Sequence, residues 1–136
     1  HPTTPAAMPL ACRIAVAALW LALAGAAQAG ATPAPVRAEI DALLARLESS
    51  GCRFGRNEEW FAGADARAHL LRKLEYVEKV GTIRSAEQFI DVAATKSSVS
   101  GAPYQVQCGN AAAVSSASWL LAQLDAVRAA TGKRTR

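Results

Sequence analysis

The chain is 136 residues long, half of them hydrophobic by type and only 6% aromatic, with a formal net charge of +4. That length argues for one compact domain, and a basic balance taken whole would suit a polyanion such as nucleic acid. The placement of the charge excludes that reading: Arg13 is the one charged residue in 1–29, Lys133, Arg134 and Arg136 close the chain, and 30–132 holds eleven basic and eleven acidic residues.

From Met8, the expected start of translation, a short segment with Arg13 leads into an apolar run from Ile14 to Ala24. Small residues follow, ending in Ala27-Gln28-Ala29. This is the three-part layout of a secretory signal peptide over residues 1–29, with cleavage expected after Ala29. The stretch from Ile14 to Ala29 falls short of the ~20 residues a stable membrane-spanning helix needs. The alternative is an uncleaved signal anchor, because no further charge appears before Arg37. Cys12 lies ahead of the hydrophobic run, the wrong side for a lipidated cysteine. The expectation is an exported, periplasmic protein with no membrane span in its mature form.

Loss of the leader removes Cys12 and leaves Cys52 and Cys108. In an oxidising compartment an isolated pair with no third partner predicts a disulfide, with two free buried thiols as the alternative. Closing so long a loop is worth roughly 4 kcal/mol in the chain-entropy model. There is no C-x-x-C motif for redox chemistry. Two cysteines and His69 fall short of a four-ligand zinc site, so neither a metal nor another cofactor is expected.

Residues 30–35 read as a Pro/Ala linker, with Pro35 suited to the first turn of a helix. Ile40, Leu43, Leu44 and Leu47 recur at i, i+3, i+4 and i+7, an amphipathic helix that ends at Gly51. Residues 52–56 and 59–61 predict a short hairpin turning at Asn57-Glu58 and broken by Gly63. A second helix spans about 64–80, with Ala66, Leu70, Leu74 and Val77 on one stripe and Gly81 as its stop. Ser85-Ala86-Glu87-Gln88 fits a reciprocal capping box opening a third helix that carries Phe89, Ile90 and Ala93. Lys96 to Pro103 is a polar loop. Tyr104 to Cys108 alternates as a strand does, Gly109-Asn110 turns the chain, and a last helix over about 117–130 presents Leu120, Leu124 and Val127. Residues 131–136 form a basic tail expected to be flexible.

An antiparallel pairing of 52–56 with 104–108 that sets Cys52 opposite Cys108 also sets Phe54 opposite Val106 and Arg56 opposite Tyr104. All six side chains then share one face. The predicted fold is α+β: a single domain over 36–130, with a three-stranded antiparallel sheet (52–56, 59–61, 104–108), about four helices and one disulfide.

Four segments, Ser50 to Asn57 (SGCRFGRN), Ala68-His69-Leu70 with Arg72-Lys73, Ala86 to Asp91 (AEQFID) and Lys96 to Tyr104 (KSSVSGAPY), resemble the YfeK-like proteins in order and spacing. Those are small exported bacterial proteins of unknown function, and the resemblance covers roughly 36–127. It implies an envelope protein of Gram-negative type and brings no activity. This chain departs from the pattern at Asn57-Glu58, where Asn-Gly is expected, and that departure predicts a looser turn.

His69 is the only histidine beyond the leader and shares a helix face with Lys73, four residues on. It suits a general base or ligand-binding group, and equally a histidine hydrogen-bonded at the edge of the core. Ser97, Ser98 and Ser100, beside Lys96, offer hydroxyls and exposed amides, but their spacing matches no serine-nucleophile or phosphate-loop motif. Glu58 and Glu59 are adjacent, so in a strand they face opposite sides and cannot act on one bond. Arg53, Arg56 and Asn57 with Trp60 and Phe61 have the composition of a recognition patch, but the same composition suits a small sheet with one face in the core and the other solvated, and that structural reading is preferred. No catalytic residue is assigned. The candidate binding surface is Arg56, Asn57, His69, Lys73, Lys96, Ser97, Ser98, Ser100 and Tyr104. The expectation is a non-enzymatic interaction module meeting another envelope protein or a cell-wall component, without nucleic acid. The alternative is a small envelope hydrolase pairing His69 with a loop serine.

Overall fold

The computed structural model describes residues 30–132. The expected leader, and the tail beyond Gly132, lie outside the described residues. Within them the chain runs α1 (Ala34–Ser49), β1 (Arg53–Arg56), β2 (Glu59–Phe61), α2 (Gly63–Val80), α3 (Ala86–Ala93), β3 (Gln105–Gln107), β4 (Val114–Ser115) and α4 (Ser116–Ala130). The strands form an antiparallel sheet in the order β2-β1-β3-β4. The α+β reading therefore holds, with a fourth strand in place of the expected three. β4 pairs Val114 with Val106 and Ser115 with Gln105. It was not legible because it is two residues long, follows a run of alanines, and turns at once into a helix.

α1 lies at the centre of the helical layer, touching α2, α3 and α4, while α2 packs on β1 and α4 on β3 and β4. Its expected stripe of Ile40, Leu43, Leu44 and Leu47 is buried. Phe89 and Ile90 of α3 and Leu120 and Leu124 of α4 complete the core with Phe54 and Val106 from the sheet. Trp119 meets Phe54 edge-on at 5.6 Å between ring centroids, fastening α4 to β1. The helix α1 starts inside the expected linker, and Thr32 ties the preceding turn to α2 by donating its hydroxyl proton to Glu78.

The register of β1 on β3 is the predicted one: Arg53 faces Gln107, Phe54 faces Val106 and Gly55 faces Gln105. One step outside that ladder Cys52 and Cys108 are joined by a disulfide, their Cα atoms 4.3 Å apart, close to the spacing of a non-hydrogen-bonded antiparallel pair. Phe54, Tyr104 and Val106 are buried beneath the helices, while Arg53 and Gln105 face outward. On that outer face the ring of Trp60 lies over Gly55, where a Cβ would come within 3.1–3.3 Å of it.

Three local details depart from the sequence reading. The hairpin turn is as tight as one built on Asn-Gly: Arg56 pairs with Glu59, and Asn57 (φ 51°) and Glu58 (φ 68°) are both left-handed, the geometry of a two-residue type I′ turn. Helix α2 stops at Gly81 as expected, but in an extended conformation (φ −168°) that makes no use of glycine's freedom. The capping box is half made. Ser85 Oγ accepts from the Gln88 amide at 3.0 Å, while Gln88 Oε1 accepts from the amide of Arg84 rather than that of Ser85.

Gly63 is the glycine that packing requires. It opens α2 against the end of α1, where a Cβ would stand 2.7 Å from the Glu48 carbonyl oxygen and 2.9 Å from Glu48 Cα and the Leu47 oxygen. These are backbone atoms and cannot swing aside. Gly63→Ala should therefore lower unfolding stability by about 2 kcal/mol, an overpacking cost that outweighs alanine's better helix propensity. Glu58→Gly should do the opposite, raising stability by about 0.5–1 kcal/mol, because relief of left-handed strain exceeds the extra freedom gained by the unfolded chain. Urea titrations of both variants beside the parent check these signs.

Candidate functional site

The β1–β3 register sets Arg56, the last residue of β1, beside Tyr104, which immediately precedes β3. Helix α2 crosses this end of the sheet and presents Asp65, His69, Arg72 and Lys73 from successive turns, at the i, i+3 and i+4 spacings that share a helix face. Arg56 Nη1 lies 3.2 Å from His69 Nδ1, and His69 Nε2 lies 2.9 Å from the Tyr104 hydroxyl. Lys73 Nζ donates to the same hydroxyl oxygen at 3.0 Å and to the Lys96 carbonyl at 3.0 Å.

Hydrogen-bond bookkeeping fixes the protons. A guanidinium has no acceptor, so Arg56 donates and Nδ1 must present its lone pair. The imidazole is then neutral, protonated on Nε2, and donates to Tyr104. The Tyr104 oxygen thus accepts from both His69 and Lys73, and its own proton is left to point elsewhere. Burial, followed by the positive charges of Arg56, Lys73 and Arg72, lowers the His69 pKa from 6.5 to about 4, in agreement with the tautomer that the contacts demand.

Beside this network is a cavity of about 290 Å³ between α2 and the sheet. Leu47, Phe54, Phe61 and Leu70 supply apolar wall, and Arg56, Arg72, His69, Tyr104 and Asp65 supply polar edges. Tyr104 is only 7% exposed. Phe61 also holds the Arg56 guanidinium, whose carbon lies 5.1 Å from the ring centroid. Among the described residues Arg56 and Arg72 form no salt bridge; the acidic partners go to Arg37, Arg67 and Arg128.

Of the candidate surface residues, Arg56, His69, Lys73 and Tyr104 form this network, and Lys96 enters it through its carbonyl oxygen. Asn57, Ser97 and Ser100 form a neighbouring one. Asn57 Nδ2 donates to Ser97 Oγ at 3.3 Å, Ser100 Oγ donates to Asn57 Oδ1, and Ser97 Oγ also accepts the amides of Val99 and Ser100. Ser97 is buried, bracing the loop against the hairpin. Ser98 is exposed in the turn. His69 therefore spends both ring nitrogens on Arg56 and Tyr104, and the His–Ser pair a hydrolase would use is not formed. No group of three or more metal-ligating side chains occurs among the described residues, and no described helix is long and apolar enough to cross a membrane.

Sequence reasoning missed Arg72 and Asp65 as parts of the site. Their spacing of three and four residues from His69 on one helix was the available signal. It also missed Arg128, which is a structural group. Arg128 is buried at the end of α4 and gripped in bidentate fashion by Glu39 of α1 (3.0 and 3.0 Å) and Glu87 of α3 (2.7 and 2.8 Å).

The model of a family of unknown function, DUF5329, matches residues 34–128. The chain belongs to that family. The match spans all four helices almost to the end of α4, and every residue of the site lies inside it. It brings no activity and does not carry the YfeK-like name. Neither a curated protein nor a solved structure matches the chain.

The neutral histidine has a consequence for acid stability in this family member. The folded imidazole titrates near 4 and the unfolded one near 6.5, so between those values the unfolded chain takes up a proton that the folded one refuses. The contribution of His69 to stability is full above pH 6.5 and is lost as the pH falls toward 4. An NMR titration should place the imidazole midpoint near 4. His69→Gln should flatten this part of the stability–pH profile, and a midpoint at the ordinary histidine value would contradict the hydrogen-bond assignment.

Proposed function

We propose that this is a small exported domain of the bacterial envelope that works by binding and carries out no chemistry of its own. Export is supported by the signal-peptide layout of residues 1–29, together with a disulfide of the kind that persists in oxidising compartments. The binding reading rests on one observation. In a domain whose described residues balance in charge, Arg56 and Arg72 both line one cavity and neither is in a salt bridge among the described residues, although Asp65 lies on the same lining. Two arginines that line one cavity without an ion-pair partner offer donors and positive charge that a bound anion would complement. Catalysis is disfavoured because the only imidazole among the described residues has both nitrogens engaged and is held neutral by burial and neighbouring cations.

The partner on this reading is another envelope protein or a cell-wall component that presents negative charge. The protein carrying Arg56→Gln and Arg72→Gln, shown by circular dichroism to fold as the parent does, should lose at least one envelope component that the parent retains in affinity capture. An identical set of captured components from both proteins would overturn the assignment of this surface.

A further inference from the structure

We infer that the cavity takes a carboxylate: a monoanion whose charged end meets Arg56 and the Tyr104 hydroxyl and whose small apolar body packs on Phe54 and Phe61. The inference rests on the binding reading above and names its ligand class.

Four observations carry it. The first is how Arg56 is held. Its Nη1 donates to a neutral imidazole and its face lies on the Phe61 ring, so two uncharged neighbours orient the guanidinium while its charge stays unmatched. Four of its five N–H donors are not used by His69, and a planar fork of such donors is shaped for a carboxylate. The second is Tyr104, nine-tenths buried, whose oxygen already accepts two hydrogen bonds. Its hydroxyl proton needs an acceptor, and a carboxylate oxygen in the cavity supplies one.

The third observation is the count of charge. Arg56 and Arg72 are opposed by Asp65, and His69 is neutral, so the lining carries a formal charge of +1, with the Lys73 ammonium bonded to the Tyr104 hydroxyl beside it. A singly charged anion is enough to balance that lining. Phosphate sites draw on backbone amides at a helix start, and here the first turn of α2 carries Asp65, which repels a dianion. The fourth is size. Drug-sized ligands occupy roughly 300–1,000 Å³, so a cavity of about 290 Å³ limits the buried part to something like one apolar amino-acid residue.

That chemistry has two sources, a free organic or amino acid and the C-terminus of a peptide. The test titrates the purified protein, followed by NMR shifts of the residues around the cavity, with N-acetyl-phenylalanine and N-acetyl-leucine, with their amides, with a tetrapeptide ending in phenylalanine, and with phenyl phosphate. The acids should bind about tenfold or more tightly than their amides, the difference of one charge-assisted hydrogen bond. Arg56→Gln should erase that preference while leaving the fold intact. A tetrapeptide that equals or exceeds the single acid identifies a chain terminus, and a weaker one identifies a free acid; either supports the inference. Amides that match the acids, or phenyl phosphate that exceeds them, would overturn the carboxylate assignment and leave the cavity as a binding site. Absence of any shift around the cavity would overturn it as well, and the capture comparison then decides separately whether this surface binds a macromolecule.

Discussion

Bringing residue 52 onto residue 108 is the constraint on which the rest of the domain depends. The chain between them carries β2, two helices and the serine loop, and in an unfolded chain so long a closure is unfavourable in entropy. The antiparallel ladder of β1 on β3 is where the closure is held. It is secured covalently at one end by Cys52–Cys108. At the other end, four residues along each strand, Arg56 and Tyr104 are joined through His69 of α2. The staple and the candidate site are thus two ends of one short ladder. A slip of either strand by one residue would turn its own core residue, Phe54 or Val106, out of the core, and would at the same time separate the cysteines and take Arg56 away from Tyr104.

Helix packing depends on close approach and on a charged clasp. Gly63 lets α2 begin against the backbone of α1, which fixes where His69, Arg72 and Lys73 emerge on the following turns. At the far end of the helical layer, Arg128 gathers Glu39 and Glu87, so three helices meet at one guanidinium. A buried ion pair of this kind adds little net stability relative to apolar packing, but its bidentate geometry specifies how the three helices sit. The positions of the helices and the position of the site therefore share the same determinants.

Much of the fold was legible because its signals are local and periodic. Ile40, Leu43, Leu44 and Leu47 mark α1 in one dimension as they do in three. The strand register was legible for a different reason: two cysteines fix one pair, and alternation then determines Phe54 with Val106 and Arg56 with Tyr104. β4 was not, since Val114-Ser115 has no alternation to read. The tight turn at Asn57-Glu58 was misjudged because the preference for glycine at the second position is statistical. Strand pairing on both sides holds Glu58 in the left-handed region despite its Cβ. Gly63 read as a breaker of the hairpin, when its absent Cβ is what lets two helices touch. That is a relation between residues distant in sequence, and nothing next to Gly63 announces it.

Arg56 and Arg128 show why composition could not locate the site. They are the same residue type in a domain of balanced charge, and no local sequence feature separates a guanidinium that is neutralised from one that is not. The separation is made by what the fold delivers to each. Two carboxylates from two other helices reach Arg128. An uncharged imidazole and a phenyl ring reach Arg56. Equal totals of acidic and basic residues thus conceal an uneven distribution in space: the carboxylates of Glu39, Glu48 and Glu87 are drawn to arginines that bind helices together, and the cations at the cavity keep their field. In a domain of balanced charge where one clasp joins two acids to one base, the other described residues carry a small net positive charge, and two of their cations, Arg56 and Arg72, line the cavity at the end of the β1–β3 ladder.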